Sequence, residues 1–219
     1  MAWLGEIPAH WEAKRLRFSM MTNPSKGEIK IGSEQFVSFI PMEAVGEYGG
    51  LNFEFEKELG EIFGGYTYFA ENDVVVAKIT PCFENGKGAI AKDLKNGVAF
   101  GTTELHVMRA NEDILPDYLF QLTLSHPFRK IGESEMYGAG GQKRVPEAFL
   151  KDFLIGLPPI KEQQSIIEFI KRANEKIDQQ AAKTGDIIAR LKEYRSALIT
   201  NAVTGKIDVR AWQPNQEAA

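Results

Sequence analysis

One cysteine, Cys82, and only three histidines in 219 residues exclude a disulfide framework and leave little for a structural zinc site. No hydrophobic run approaches the length of a membrane span. The start, Met1-Ala2-Trp3-Leu4-Gly5-Glu6, lacks the basic and apolar regions of a secretory signal. The expectation is a soluble, cytoplasmic chain in a reducing setting. Basic excess is also missing: 26 Lys and Arg face 30 Asp and Glu, a net charge of -4. Any contact with nucleic acid therefore needs a local patch or a partner's charge.

Catalytic signatures are equally scarce. An adenine methyltransferase needs Asp/Asn-Pro-Pro-Tyr/Phe and a glycine-rich turn between strand and helix, but the single Pro-Pro follows Leu157 and no such glycine fingerprint occurs. Glu12-Ala13-Lys14 resembles half of a nuclease motif without its Pro-Asp, and His10, His106 and His126 are scattered without ligand spacing. These absences predict a non-catalytic protein.

What is present is an apolar ladder: Ile166, Ile170, Ala173, Ile177, Gln180, Thr184, Ile187, Leu191, Tyr194 and Leu198, in alternating steps of four and three. That spacing is the a/d seam of a coiled coil. At 1.5 Å per residue a helix over residues 162–202 is about 60 Å long, more than a small domain needs to cover itself. Pro158-Pro159 opens it and Gly205 closes it. Gly185 costs about 1 kcal/mol relative to alanine, and a hairpin at 184–186 is the rival reading. The seam continues in phase across Gly185, which favours one unbroken helix. The polar centre, Gln180 and Thr184, suits an antiparallel pair crossing at its midpoint. The g positions Lys176, Lys183 and Arg190 are all basic, so neither pairing gains complementary charges; Ala181 and Ile188 at e widen the apolar face.

Before residue 157 the pattern is short and mixed, which predicts an α+β fold: a mixed-sheet globular domain followed by the long helix. Residues 73–80 form the clearest strand, then an Asn85-Gly86 hairpin turn and a strand at 88–91. Residues 98–100 and 104–109 are expected in the same sheet. A helix opens at Pro116 and stops near His126-Pro127. Residues 138–141, Gly-Ala-Gly-Gly, read as a loop. Phe36, Phe39, Phe53, Phe55, Tyr66, Tyr68 and Phe69 are expected mainly in the core. The domains are expected at 1–157, 158–205 and 206–219, the last a tail.

Several segments together resemble the DNA-specificity subunit of type I restriction-modification systems. They are Leu157-Pro158-Pro159-Ile160-Lys161-Glu162-Gln163-Gln164-Ser165-Ile166, Lys176-Ile177-Asp178, Leu191-Lys192-Glu193-Tyr194-Arg195-Ser196-Ala197-Leu198-Ile199, and Ala202-Val203-Thr204-Gly205-Lys206-Ile207-Asp208-Val209-Arg210. Trp3-Leu4-Gly5-Glu6-Ile7-Pro8, with Trp11 and Lys14-Arg15-Leu16, is similar to that family's domain opening, and residues 138–145 to its closing stretch. The resemblance implies a target-recognition domain followed by a spacer helix. It implies double-stranded DNA, methyltransferase subunits and a restriction translocase as partners. S-adenosylmethionine and ATP would bind those partners, and no cofactor this chain. Family members carry two recognition domains and two spacer helices, whereas this sequence has one of each. It reads as a half-subunit, natural or truncated, that pairs with a second copy of itself through the ladder.

Base readout needs donors and acceptors on loops, and phosphate contacts need cations or amides. Two groups meet this: Lys78, Thr80, Asn85 and Lys87 around the hairpin, and Tyr137, Gln142, Lys143 and Arg144 at the glycine-rich loop. The first group serves equally well as a solvated hairpin; Gln142 and Arg144 carry the geometry for bidentate pairing with adenine or guanine. A dimeric scaffold whose head binds another protein is the alternative from a different class.

Overall fold

A computed structural model describes residues 3–213. The chain divides into two units, Met1–Ile167 and Glu168–Ala219. The first contains β1 (Glu12–Arg15), β2 (Met20–Thr22), β3 (Phe36–Ile40), β4 (Glu56–Glu58), α1 (Leu59–Ile62), β5 (Thr67–Ala70), β6 (Val74–Ala77), β7 (Gly88–Ile90), β8 (Val98–Gly101), β9 (Leu105–Ala110), α2 (Pro116–Leu124), α3 (His126–Ser134), α4 (Glu147–Asp152) and β10 (Leu154–Leu157). It also holds the first turns of α5 (Ile160–Val203), which continues through the second unit. The expected α+β fold, with mixed sheet and long C-terminal helix, is what the chain adopts.

Two four-stranded sheets run in the orders β2-β9-β6-β7 and β4-β3-β8-β5, and β1 pairs with β10. All partners are antiparallel except β3 and β8, which are parallel. The continuous apolar run of β6 reflects burial on both faces. Val74 and Val76 enter a core shared with Phe83, Phe128 and Phe149, while Val75 and Ala77 enter a second core with Ile40, Phe69 and Ala99. On the far side of the second sheet, Val37, Val98 and Phe100 meet Leu59 and Ile62 of α1.

Several expectations need correction. Strand β8 belongs to the second sheet, not to that of β6 and β9. The chain changes sheets within residues 102–104, where Thr102 Oγ1 accepts from the Glu104 amide at 3.2 Å, and Gly101 lies so close to Ile40 that an added Cβ would stand 2.9 Å from its carbonyl oxygen. Both faces of β6 and β8 are apolar, so periodicity alone cannot assign them to a sheet. Strands β6 and β7 do pair antiparallel, but no two-residue turn joins them. Residues 78–87 fold back around Phe83, which is 1% exposed. Arg129 Nη1 donates to the Phe83 carbonyl at 2.6 Å, and Gly132 leaves room for its ring. The helix opened by Pro116 does stop just before His126-Pro127, at Leu124, but a second helix, α3, follows at once: Ser125 closes α2 with its amide and caps α3 with its hydroxyl. Among the aromatics, Phe69 and Tyr68 are buried, but Phe36, Phe53 and Phe55 are exposed.

The family-like opening packs where the helix begins. Trp3 stacks on Phe153 at 4.7 Å, and Ile7 and Trp11 close on Gly156 of β10. Helix α5 passes through Gly185 unbroken. It ends at Gly205 (φ +73), where the Lys206 amide reaches the Asn201 carbonyl at 2.8 Å and the Gly205 amide the Ala202 carbonyl at 3.2 Å, a Schellman cap. The tail expected at 206–219 is described only to residue 213.

Candidate nucleic-acid interface

Part of each candidate group converges, although the two groups lie far apart in sequence. Leaving β6, the Thr80 amide donates to the Lys143 carbonyl at 3.0 Å and the Val145 amide to the Lys78 carbonyl at 2.9 Å. On its other side Arg144 exchanges backbone bonds with Tyr137, at 2.9 and 3.2 Å. Lys78, Thr80, Tyr137, Gln142, Lys143 and Arg144 thereby share one ledge. The turn beyond requires its glycines: Gly138, Gly140 and Gly141 have positive φ, and a Cβ on Gly138 would stand 2.6 Å from the Gln142 carbonyl oxygen.

Asn85 and Lys87 do not join this ledge directly. Asn85 Nδ2 donates to Glu47 Oε1 at 3.2 Å and Lys87 Nζ to the Met42 carbonyl at 3.1 Å. Together with the Glu47–Lys87 bridge and a 3.2 Å bond from the Tyr48 amide to the Gly86 carbonyl, they fasten the loop that displays Tyr48.

The ledge side chains differ in their freedom. Arg144 grips Glu104 with Nε at 2.9 Å and Nη2 at 2.7 Å, a bidentate pair. That bond holds the Glu104 carboxyl below the usual carboxylate range, with Lys78 adding to the effect. Tyr137, Gln142 and Lys143 are exposed. Thr80 Oγ1 faces Met136 Sδ at 3.7 Å. Beneath the ledge His106, on β9, donates from Nε2 to the Val145 carbonyl at 2.8 Å, and burial pushes its pKa below the ordinary histidine value. Sequence reasoning missed Glu104 and His106. Their only local signal is polarity inside an otherwise apolar strand segment.

In the second unit most of the ladder lies open: Ile177 and Leu191 are 59% and 61% exposed, and Ile187, Tyr194 and Leu198 are exposed as well. Ile170 is half-buried; Ile166, which belongs to the first unit, is half-buried and packs on that unit's own core. Among the described residues no cluster of His, Cys, Asp or Glu has metal-holding geometry, and no helix is long and apolar enough to cross a membrane.

Comparison with known proteins places these features in a family. The chain belongs to the family described as type I restriction modification DNA specificity domain, which matches residues 29–187. It is similar to the type I restriction enzyme EcoAI specificity subunit of Escherichia coli, 40% identical over 203 residues, covering 90% of this chain and 34% of that protein. The EcoEI specificity subunit of the same organism is 37% identical over 212 residues, covering 94% and 35%. The HsdS subunit from Thermoanaerobacter tengcongensis shares the fold, with a TM-score of 0.68 at 20% identity over 96% of this chain and 53% of that one. The chain thus spans about a third of the length of the curated relatives it matches.

Proposed function

We propose that the chain is a non-catalytic DNA-recognition subunit of a type I restriction-modification complex, working as an antiparallel pair of copies. Residues 1–157 form the recognition domain, 158–205 the spacer and dimerisation helix, and 206–219 a tail. The observation that carries the pairing is the symmetry of the ladder. About Ala182 it reflects onto itself: Ile166 onto Leu198, Ile170 onto Tyr194, Ala173 onto Leu191, Ile177 onto Ile187 and Gln180 onto Thr184. Two antiparallel copies in that register match every seam position, with apolar layers flanking one polar centre that penalises slipped registers. The exposure of the seam and its unbroken helix support the same reading.

Antiparallel order puts the two helix starts at opposite ends of the pair, so two identical heads read inverted half-sites of double-stranded DNA at a fixed spacing. Base reading falls to the ledge around the glycine-rich turn. Methyltransferase subunits bring S-adenosylmethionine, and the restriction translocase brings ATP. The test is co-expression with the cognate methyltransferase followed by methylation mapping. The expected product is an adenine-methylated inverted repeat with a constant gap. An asymmetric motif, or none, overturns the paired reading.

A further inference from the structure

Beside the ledge lies a groove of about 250 Å³ lined by Asn23, Lys26, Tyr66, Thr67, Tyr68 and Lys78, with Pro24 and Leu105 at its base. Two lysines line it, no carboxylate does, and among the described residues neither lysine forms an ion pair. The acids linked to its lining residues are Glu104, which feels Lys78, Glu147, which binds Asn23, and Glu28 and Asp73, which bind the Arg109 that lies over Tyr68. Each of those acids has another partner. Glu28 and Asp73 both bind Arg109. Glu104 is taken by Arg144. Glu147 accepts from Thr22 at 2.5 Å and Asn23 at 3.1 Å and pairs with Lys151 at 2.5 Å.

Lys26 is also held in place. Its turn is fixed by Ser25 Oγ, which accepts from the Gly27 amide at 3.2 Å. Its ammonium donates to the Phe63 carbonyl at 2.5 Å and stands 5.6 and 5.4 Å from the ring centroids of Phe63 and Phe100. A carbonyl and two ring faces position a cation without neutralising it, and two of its N–H bonds stay available. Lys78 is half-buried where β6 ends, its backbone bonded to both Glu104 and Val145. The groove therefore presents two positive charges, the Lys26 ammonium held in place and the Lys78 backbone anchored, next to the surface assigned to base reading.

We infer that Lys26 and Lys78 form a seat for one backbone phosphate of double-stranded DNA. The seat rests on the DNA-recognition reading above and adds to it a contact that positions the duplex without reading sequence. It also gives the Arg144–Glu104 pair a function: with Glu104 neutralised, no free carboxylate opposes a phosphate at Lys78. Arg144 is in this respect a positioning residue.

The experiment uses the full chain and a duplex of random sequence, with binding followed by fluorescence anisotropy over a range of potassium chloride concentrations. Because a phosphate contact releases counterions, the double variant K26Q/K78Q is expected to bind more weakly and to lower the magnitude of the log affinity against log salt slope by about 0.9. K26R/K78R should keep the wild-type slope, and so should K30Q, an exposed lysine outside the groove. A parallel measurement on the unaltered chain avoids any folding defect: bound duplex should protect Lys26 and Lys78, but not Lys30, from reductive methylation. Unchanged slope or absent protection while the duplex still binds overturns the seat and leaves DNA recognition standing. An equal effect of K30Q reduces the observation to bulk charge and also overturns it. Failure of the wild-type chain to bind the duplex even at low salt overturns the recognition reading, and the seat with it.

Discussion

The side chain of Gln163 accepts a hydrogen bond from the backbone amide of Leu115 at 2.8 Å. Its Nε2 donates to the carbonyls of Asp113 and Pro158 at 2.8 and 2.9 Å. Gln163 is fully buried, so one amide side chain satisfies three backbone groups that would otherwise lie unpaired where α5 begins. In the sequence it is one member of a polar Glu-Gln-Gln run; in the fold it is the rivet of the helix start.

Replacing Gln163 with leucine keeps the volume and orphans those groups. We expect a loss of about 2–4 kcal/mol, since each buried group left unsatisfied costs about 1–3 kcal/mol. Urea unfolding measures it, and a midpoint indistinguishable from wild type rejects the rivet.

The Arg144–Glu104 pair separates two roles for the arginine. If Arg144 acts by neutralising Glu104, Arg144→Ala weakens duplex binding by about 1–3 kcal/mol regardless of sequence, and adding Glu104→Gln restores part of the loss. If it instead reads a base directly, as its bidentate geometry allows, the single variant relaxes specificity and the second change restores nothing. Affinities for target and random duplexes, measured across the four proteins, distinguish these outcomes.

Aspartate at both Ile177 and Ile187 places charges in layers that face each other in the proposed pair, where they also repel. The expected result is a monomer by light scattering with the urea unfolding midpoint of the head unchanged. A mass equal to that of the unaltered chain rejects the seam as the contact.

His106 makes stability depend on pH. Burial lowers its folded pKa below the ordinary 6.5, so below that value the unfolded chain binds the proton more readily. The contribution is complete above about pH 6.5 and is lost as pH falls through the depressed folded value. Glu104, also held low by Arg144, contributes in the same direction in the more acidic carboxylate range. His106→Gln can keep an N–H toward Val145, and its urea midpoint should fall less steeply than wild type between neutrality and about pH 5.5. Parallel curves for the two proteins discard the assignment.

The long helix, its phase through Gly185 and its stop at Gly205 were all legible in the sequence. Each rests on periodicity or capping within a few neighbouring residues, which the chain carries locally. The ladder's symmetry about Ala182 is likewise written in the sequence alone, because a helix maps residue number directly onto position along its axis. The tertiary structure decided the rest. It moved β8 into the second sheet, gave Arg144 to Glu104 and buried Gln163 against Leu115. These are contacts between residues tens of positions apart, selected by burial and by the need to satisfy polar groups in a shared core, and no local pattern specifies which distant partner is met.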